Sequence, residues 1–119
     1  MFQIEFYNDA QGNSPIEDFL DKLDKKAATS KENRVRLKKI YEYLDILEKL
    51  GPIGEPYTKH LDGKIWELRP YSDRILFAGL IDGKFILLHH FVKKTNKTPR
   101  REIEKALTNL EDYIQRAKE

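Results

Sequence analysis

Asp82 and Gly83 interrupt a stretch that otherwise reads as two long paired strands, Arg74–Ile81 before them and Lys84–Val92 after. Both residue types tolerate positive φ, so the pair forms a two-residue hairpin turn. A turn this short leaves little freedom in register: Ile81 faces Lys84, Leu76 faces His89 and Arg74 faces Phe91. The connection Pro70–Asp73 then sets Arg69 opposite Arg74. One face of the predicted sheet gathers Glu67, Arg69, Arg74, His89 and Lys93, with Leu76, Ala78, Leu80, Phe85 and Leu87 farther along. The other face holds Trp66, Leu68, Ile75, Phe77, Ile86, Leu88, His90 and Val92. That second set is almost wholly apolar and is expected to pack on helices.

The helices come earlier in the chain. Phe2, Ile4 and Phe6 alternate with polar partners and predict a short first strand. Ser14-Pro15-Ile16-Glu17 combines a capping box with proline at the first helical position, and Ile16, Phe19, Leu20 and Leu23 follow at helical spacing. After a break at Ala27–Ser30, a second helix is predicted over Lys31–Leu50, with Leu37, Ile40, Tyr41, Leu44 and Leu47 on one side and Gly51-Pro52 as its stop. Residues 51–58 read as a loop, Ile65–Arg69 as a strand, and Thr98-Pro99 as the start of a last helix that covers the apolar remainder of the basic face. The expected order is β-α-α-β-β-β-α, an α+β fold with a small, mostly antiparallel sheet and the whole of 1–119 as one domain.

Composition narrows the function. The absence of cysteine excludes disulfides and thiolate chemistry. No apolar run approaches the roughly 18 residues of a membrane span. The N-terminal MFQIEFYNDA lacks the basic-then-apolar order of a signal peptide. A cytoplasmic protein without membrane contact is expected. Between Lys59 and Arg101 stand ten basic and four acidic residues, against 12 basic and 16 acidic elsewhere. Such a separation suits a basic face for a polyanion, although a merely solvated surface has the same look.

The predicted face suits RNA cleavage without metal. The substrate 2′-hydroxyl attacks, so the enzyme needs a base, an acid for the leaving 5′ oxygen and cations for the phosphorane. Arginine matches phosphate with a planar fork, and lysine or histidine can move protons. Asp62, Glu67, Asp73 and Asp82 are scattered, which argues against a two-metal site. Competing structural roles stand beside these. Arg69 and Arg74 can be exposed residues flanking a turn. Glu67 can be their ion-pair partner. One of His89 and His90 must point away from the site, and His89 is placed in it. Tyr57 and Tyr71 can stack on bases or be ordinary half-buried tyrosines. His60 reads as a loop residue and Trp66 as core.

The run Lys59-His60-Leu61-Asp62-Gly63-Lys64-Ile65-Trp66-Glu67-Leu68-Arg69, then Asp73-Arg74-Ile75-Leu76-Phe77, His89-His90-Phe91-Val92-Lys93-Lys94-Thr95 and Lys97-Thr98-Pro99, resembles the phage-derived HigB branch of the RelE toxin superfamily. The resemblance covers nearly the whole chain. It implies a ribosome-dependent mRNA endoribonuclease held inactive by a cognate antitoxin, a HigA-like helix-turn-helix protein through which alone operator DNA is bound. It implies no cofactor and no metal. By motif position, Arg74 is the principal active-site arginine, Arg69 its companion and Lys59 the upstream basic residue. Glu67, His89 and Lys93 fall among the catalytic positions. Lys94 falls where members place RNA-contacting groups, and Lys97, Arg100, Lys64 and Tyr71 are further candidate RNA contacts by their charge or ring. The chain departs from the founding RelE type in having Glu67 where that type tends to carry a base, and in ending on a full helix. Two other classes stay open: a ParE-like gyrase inhibitor, and a module that binds RNA or ribosome without cutting.

Overall fold

A computed structural model describes residues 1–118. Its elements are β1 (Gln3–Phe6), α1 (Pro15–Ala27), α2 (Lys31–Leu50), β2 (Thr58–Asp62), β3 (Ile65–Leu68), β4 (Asp73–Ile81), β5 (Lys84–Val92) and α3 (Arg100–Ala117). The five strands form one sheet in the order β1-β5-β4-β3-β2, with β1 parallel to β5 and the other pairs antiparallel. The order is therefore β-α-α-β-β-β-β-α, one strand more than expected. The extra strand, β2, lies at the sheet edge. Its TKHLD sequence has little hydrophobic alternation, and pairing with β3 makes it a strand.

Local chemistry sets the helix boundaries. The Ser14 and Ser30 hydroxyls accept from the backbone amides of Glu17 and Asn33, both at 3.3 Å, and so cap α1 and α2. Gly51 ends α2 with its amide on the Leu47 carbonyl at 2.9 Å and a φ of 77°, a region a side chain rarely adopts.

The sheet is covered on both faces. Ile16, Leu20 and Leu23 of α1 with Ile40, Leu44 and Leu47 of α2 pack on Leu68, Ile75, Phe77, Phe85 and Leu87. Ile103, Ala106 and Leu110 of α3 pack on Ile65, Leu76, Ala78, Ile86 and Leu88. The expected faces are thus partly exchanged: Ile86 and Leu88 belong to the α3 side, and Phe85 and Leu87 to the side of α1 and α2.

Two bulges cause the exchange. The hairpin register holds at Ile81–Lys84, Leu76–His89 and Arg74–Phe91, but Phe77 pairs with Leu87 and Ala78 with Ile86. Between them β5 carries one extra residue, so the consecutive Leu88 and His89 both face α3. A second irregularity at Gly79-Leu80 adds a residue to β4 and restores the register at the turn. Gly79 is required there, because a Cβ on it would lie 2.5 Å from the Phe85 ring. Leu80, expected in the apolar part of the basic face, and Val92, expected on the apolar face, are 45% and 44% exposed.

Candidate active site

Sheet, loop and α3 leave a cavity of about 290 Å³ at one end of the molecule. Glu67 and Arg74 line it from the sheet, with Phe91 beside them. Lys93, Lys94 and Lys97 line it from the loop after β5, and Arg101 and Glu102 from the first turn of α3. The loop is tied down in two places: the Lys93 amide donates to the Ser72 carbonyl at 2.8 Å, and the Thr98 hydroxyl donates to Glu67 Oε2 at 2.6 Å.

Arg74 is not exposed beside its turn, as the sequence suggested; it is 6% exposed. Its Nη1 donates to the carbonyls of Tyr71 at 2.9 Å and Asp73 at 2.8 Å. Tyr71 can place its carbonyl there because its φ is 56°. Burial lowers the Arg74 pKa; the Glu67 carboxylate partly offsets this, and the neighbouring Arg69 adds to it. The guanidinium stays charged, because an arginine pKa starts so high.

Glu67 is the acidic centre of the cluster and is 1% exposed. Arg69 Nε lies 3.4 Å and Arg74 Nε 4.0 Å from its Oε1. The first contact is close enough for an ion pair but not aligned for a hydrogen bond, and Arg69 Nε has no hydrogen-bond partner although buried. Arg69 instead donates through Nη1 to Glu55 at 2.8 Å. Lys59, exposed on β2, pairs across the ladder with Glu67. Antiparallel partners share a face, so Lys59 stands on the α3 side of the sheet beside the cluster.

His89 is on the expected face but outside the cavity. Its Nε2 lies 2.6 Å from Glu102 Oε1. Burial lowers the His89 pKa, and the bond to Glu102 offsets only part of that. For Glu102, burial acts upward, but the His89 bond and nearby charges outweigh it and hold the group low. A carboxylate oxygen can only accept, so His89 Nε2 is the donor in this pair. Glu102 itself lines the cavity.

The other anticipated RNA contacts diverge. Lys94 and Lys97 are at the cavity. Arg100 turns away from it and bridges Asp62 at 2.9 Å and Glu104 at 2.8 Å, joining α3 to β2. Lys64 is exposed between β2 and β3. The Tyr71 side chain is free in solvent, 59% exposed, while its backbone serves Arg74. Arg101, which ends the basic run from Lys93 that reads as phosphate contact, does line the cavity, whereas sequence reading missed Thr98, Glu102 and Glu55. Thr98 and Glu102 carry ordinary helix-start signals, and nothing local links them to Glu67 and His89 on other strands. Among the described residues, no three His, Asp or Glu side chains converge as metal ligands.

A five-stranded mixed sheet between a helix pair and a single helix is broadly compatible with the RelE-like toxin fold. The profile of the family "Phage derived protein Gp49-like (DUF891)" matches residues 18–111, and the chain belongs to that family. The family is associated with RelE-like toxins of toxin–antitoxin systems, and RelE-type toxins are RNases. Membership implies an antitoxin partner. No curated protein matches the chain. No described helix is long and apolar enough to cross a membrane.

Proposed function

We propose that this protein is the HigB-like toxin of a type II toxin–antitoxin system, with the whole of 1–119 as one toxin domain that cuts mRNA on the ribosome in the cytoplasm. The observation that carries this reading is the convergence of Arg74, Lys93, Lys94, Lys97 and Arg101 on one cavity whose floor holds the buried Glu67. Phosphodiester transfer by 2′-hydroxyl attack needs such a set: preplaced cations for the phosphorane, and groups that exchange protons with the entering and leaving oxygens. Arg74, immobilised by two backbone carbonyls, takes the non-bridging oxygens, with Arg69 behind it. Glu67, Lys59 and Lys93 are the candidate proton carriers, and His89 acts on the cavity through its bond to Glu102. Lys94 and Lys97 at the cavity, and Lys64, Arg100 and Tyr71 on the surface outside it, track the flanking RNA, and metal takes no part. The antitoxin is a HigA-like helix-turn-helix protein that contacts operator DNA for the complex.

Purified protein, ribosomes and a labelled message test the proposal in one assay. A cleaved message supports it. Arrested translation with intact message would replace it by a ribosome-binding module. Unaffected translation with gyrase inhibition would replace it by a ParE-like toxin.

A further inference from the structure

A second charged cluster sits behind the Arg74 turn, on the side of α1 and α2. The Asp73 carboxylate is fully buried. Arg36 of α2 grips it with two bonds, Nη2 to Oδ1 at 2.8 Å and Nε to Oδ2 at 3.1 Å. His90 of β5 adds a third contact, Nε2 to Oδ1 at 2.8 Å. Both partners are braced in turn. Arg36 Nη1 donates to Asn33 Oδ1 at 3.1 Å, and its guanidinium carbon lies 5.8 Å from the centre of the Phe19 ring. The His90 ring stacks on the same Phe19 at 3.5 Å. One carboxylate therefore ties the start of β4 to α2 and to β5, and Phe19 of α1 packs against both of its partners.

The backbone at this point is also the seat of Arg74. Nη1 of Arg74 bonds the carbonyls of Tyr71 and of Asp73 itself. The turn closes through the Asp73 amide on the Pro70 carbonyl at 3.0 Å. Any shift of the Asp73 backbone moves one of the two acceptors that aim the guanidinium. A bidentate arginine–carboxylate pair is geometrically specific, which a turn exposed to solvent on its other side does not achieve by its own hydrogen bond.

We propose that Asp73, clamped by Arg36 and His90, is a positioning residue that fixes the seat of Arg74 and hence the aim of its guanidinium into the cavity. The proposal rests on the ribonuclease reading for its catalytic consequence, but not for its geometric one. The position of such a group matters because a displacement of about 1 Å can cost roughly 100-fold in rate.

The variants are Asp73→Asn, Arg36→Met and His90→Gln, each checked for folding by circular dichroism. The Arg74 guanidinium Nε–H signal, assigned by its loss in Arg74→Lys, is followed by NMR, and kcat and KM are measured on ribosome-bound message. Asp73→Asn and Arg36→Met are expected to shift and broaden the Arg74 signal. They should lower kcat by about tenfold or more while KM changes by less than about threefold. His90→Gln keeps an N–H donor and is expected to stay within about threefold of the wild type in kcat. Arg36 stands on α2, outside the turn it steadies, and keeps 17% of its side chain exposed, so Arg36→Met decides the matter if Asp73→Asn fails to fold. An unchanged Arg74 signal and kcat in folded Arg36→Met, even with a lowered melting temperature, overturns the proposal. A wild-type protein that cuts no message refutes the ribonuclease reading instead, and the NMR arm still decides the positioning role.

Discussion

The Thr98 hydroxyl donates to the Glu67 carboxylate at 2.6 Å across 31 positions of sequence. This bond fastens the basic loop that follows β5 to the middle of β3. Glu67 thereby has two structural tasks, holding the loop down and balancing the charge of Arg69 and Arg74.

Changing either side of that bond should loosen the cavity by different amounts. Thr98→Val keeps the shape and deletes the donor, at a cost of about 1–2 kcal/mol. Glu67→Gln keeps an oxygen that can accept from Thr98 but removes the charge shared with the two guanidiniums, and should cost more, about 2–4 kcal/mol. Urea midpoints measure both. A Glu67→Gln protein as stable as wild type would show that the carboxylate does not compensate the arginines.

Arg74→Ala is expected to remove growth arrest in cells lacking the antitoxin while the protein stays folded. Loss of one charge-assisted contact to the transition state typically costs about 3–4 kcal/mol, roughly 10²–10³ in rate. Undiminished toxicity of the variant would take Arg74 out of the reaction.

Acid should destabilise the fold in two stages. His89 sits below its ordinary 6.5 because of burial, only partly countered by Glu102. The unfolded chain takes up that proton first, so the stability His89 contributes is full above 6.5 and lost as pH falls through its lower folded value. For Asp73, burial acts upward but the His90 and Arg36 bonds win, so it lies below its ordinary 3.8. Glu102 lies below 4.5. Their contributions are complete above those values and are lost at lower pH. Urea midpoints between about pH 3 and 8 should therefore show an early decline that His89→Gln removes, and a late one that Asp73→Asn reduces. A single decline unaffected by either variant contradicts these shifts.

Cleavage of a reactive minimal RNA should survive dialysis of protein and substrate against EDTA. The motive is the absence, among the described residues, of converging His and carboxylate ligands. Activity lost to EDTA and restored by a divalent ion would overturn this. Ribosomes need magnesium themselves, hence the minimal substrate.

The antitoxin is expected on the N-terminal helices rather than over the cavity. That side presents Val35 and Tyr41, 40% and 54% exposed, whereas the cavity side is lined by lysines. Reversing charge at Lys93 and Lys94 should then abolish toxicity but leave antitoxin affinity within about tenfold, 1.4 kcal/mol. Destruction of the complex by that double reversal, or a steep salt dependence of binding, would put the antitoxin on the basic face.

Much of the architecture was legible because its signals are local. Ser14, Ser30 and Gly51 act on amides within one turn of themselves, and Asp82-Gly83 dictates a hairpin from two residues. Alternation found every strand but β2 and placed Glu67, Arg69, Arg74 and Lys93 on one face, because cross-strand neighbours follow from register. What the tertiary structure alone decided is where alternation breaks and what comes from elsewhere in the chain. The bulges at Leu88 and at Gly79-Leu80 exchange the faces of Phe85 through Leu88, because packing on two helix layers, with the Phe85 ring lying against Gly79, outweighs an unbroken ladder. The burial of Arg74 depends on carbonyls turned toward it by the Tyr71 conformation. Thr98, Glu102 and Asp73 find Glu67, His89, Arg36 and His90 only after folding. A buried charge takes its partner from whichever element lies nearest in space, and that proximity is set by how the layers pack rather than by the spacing of residues along the chain.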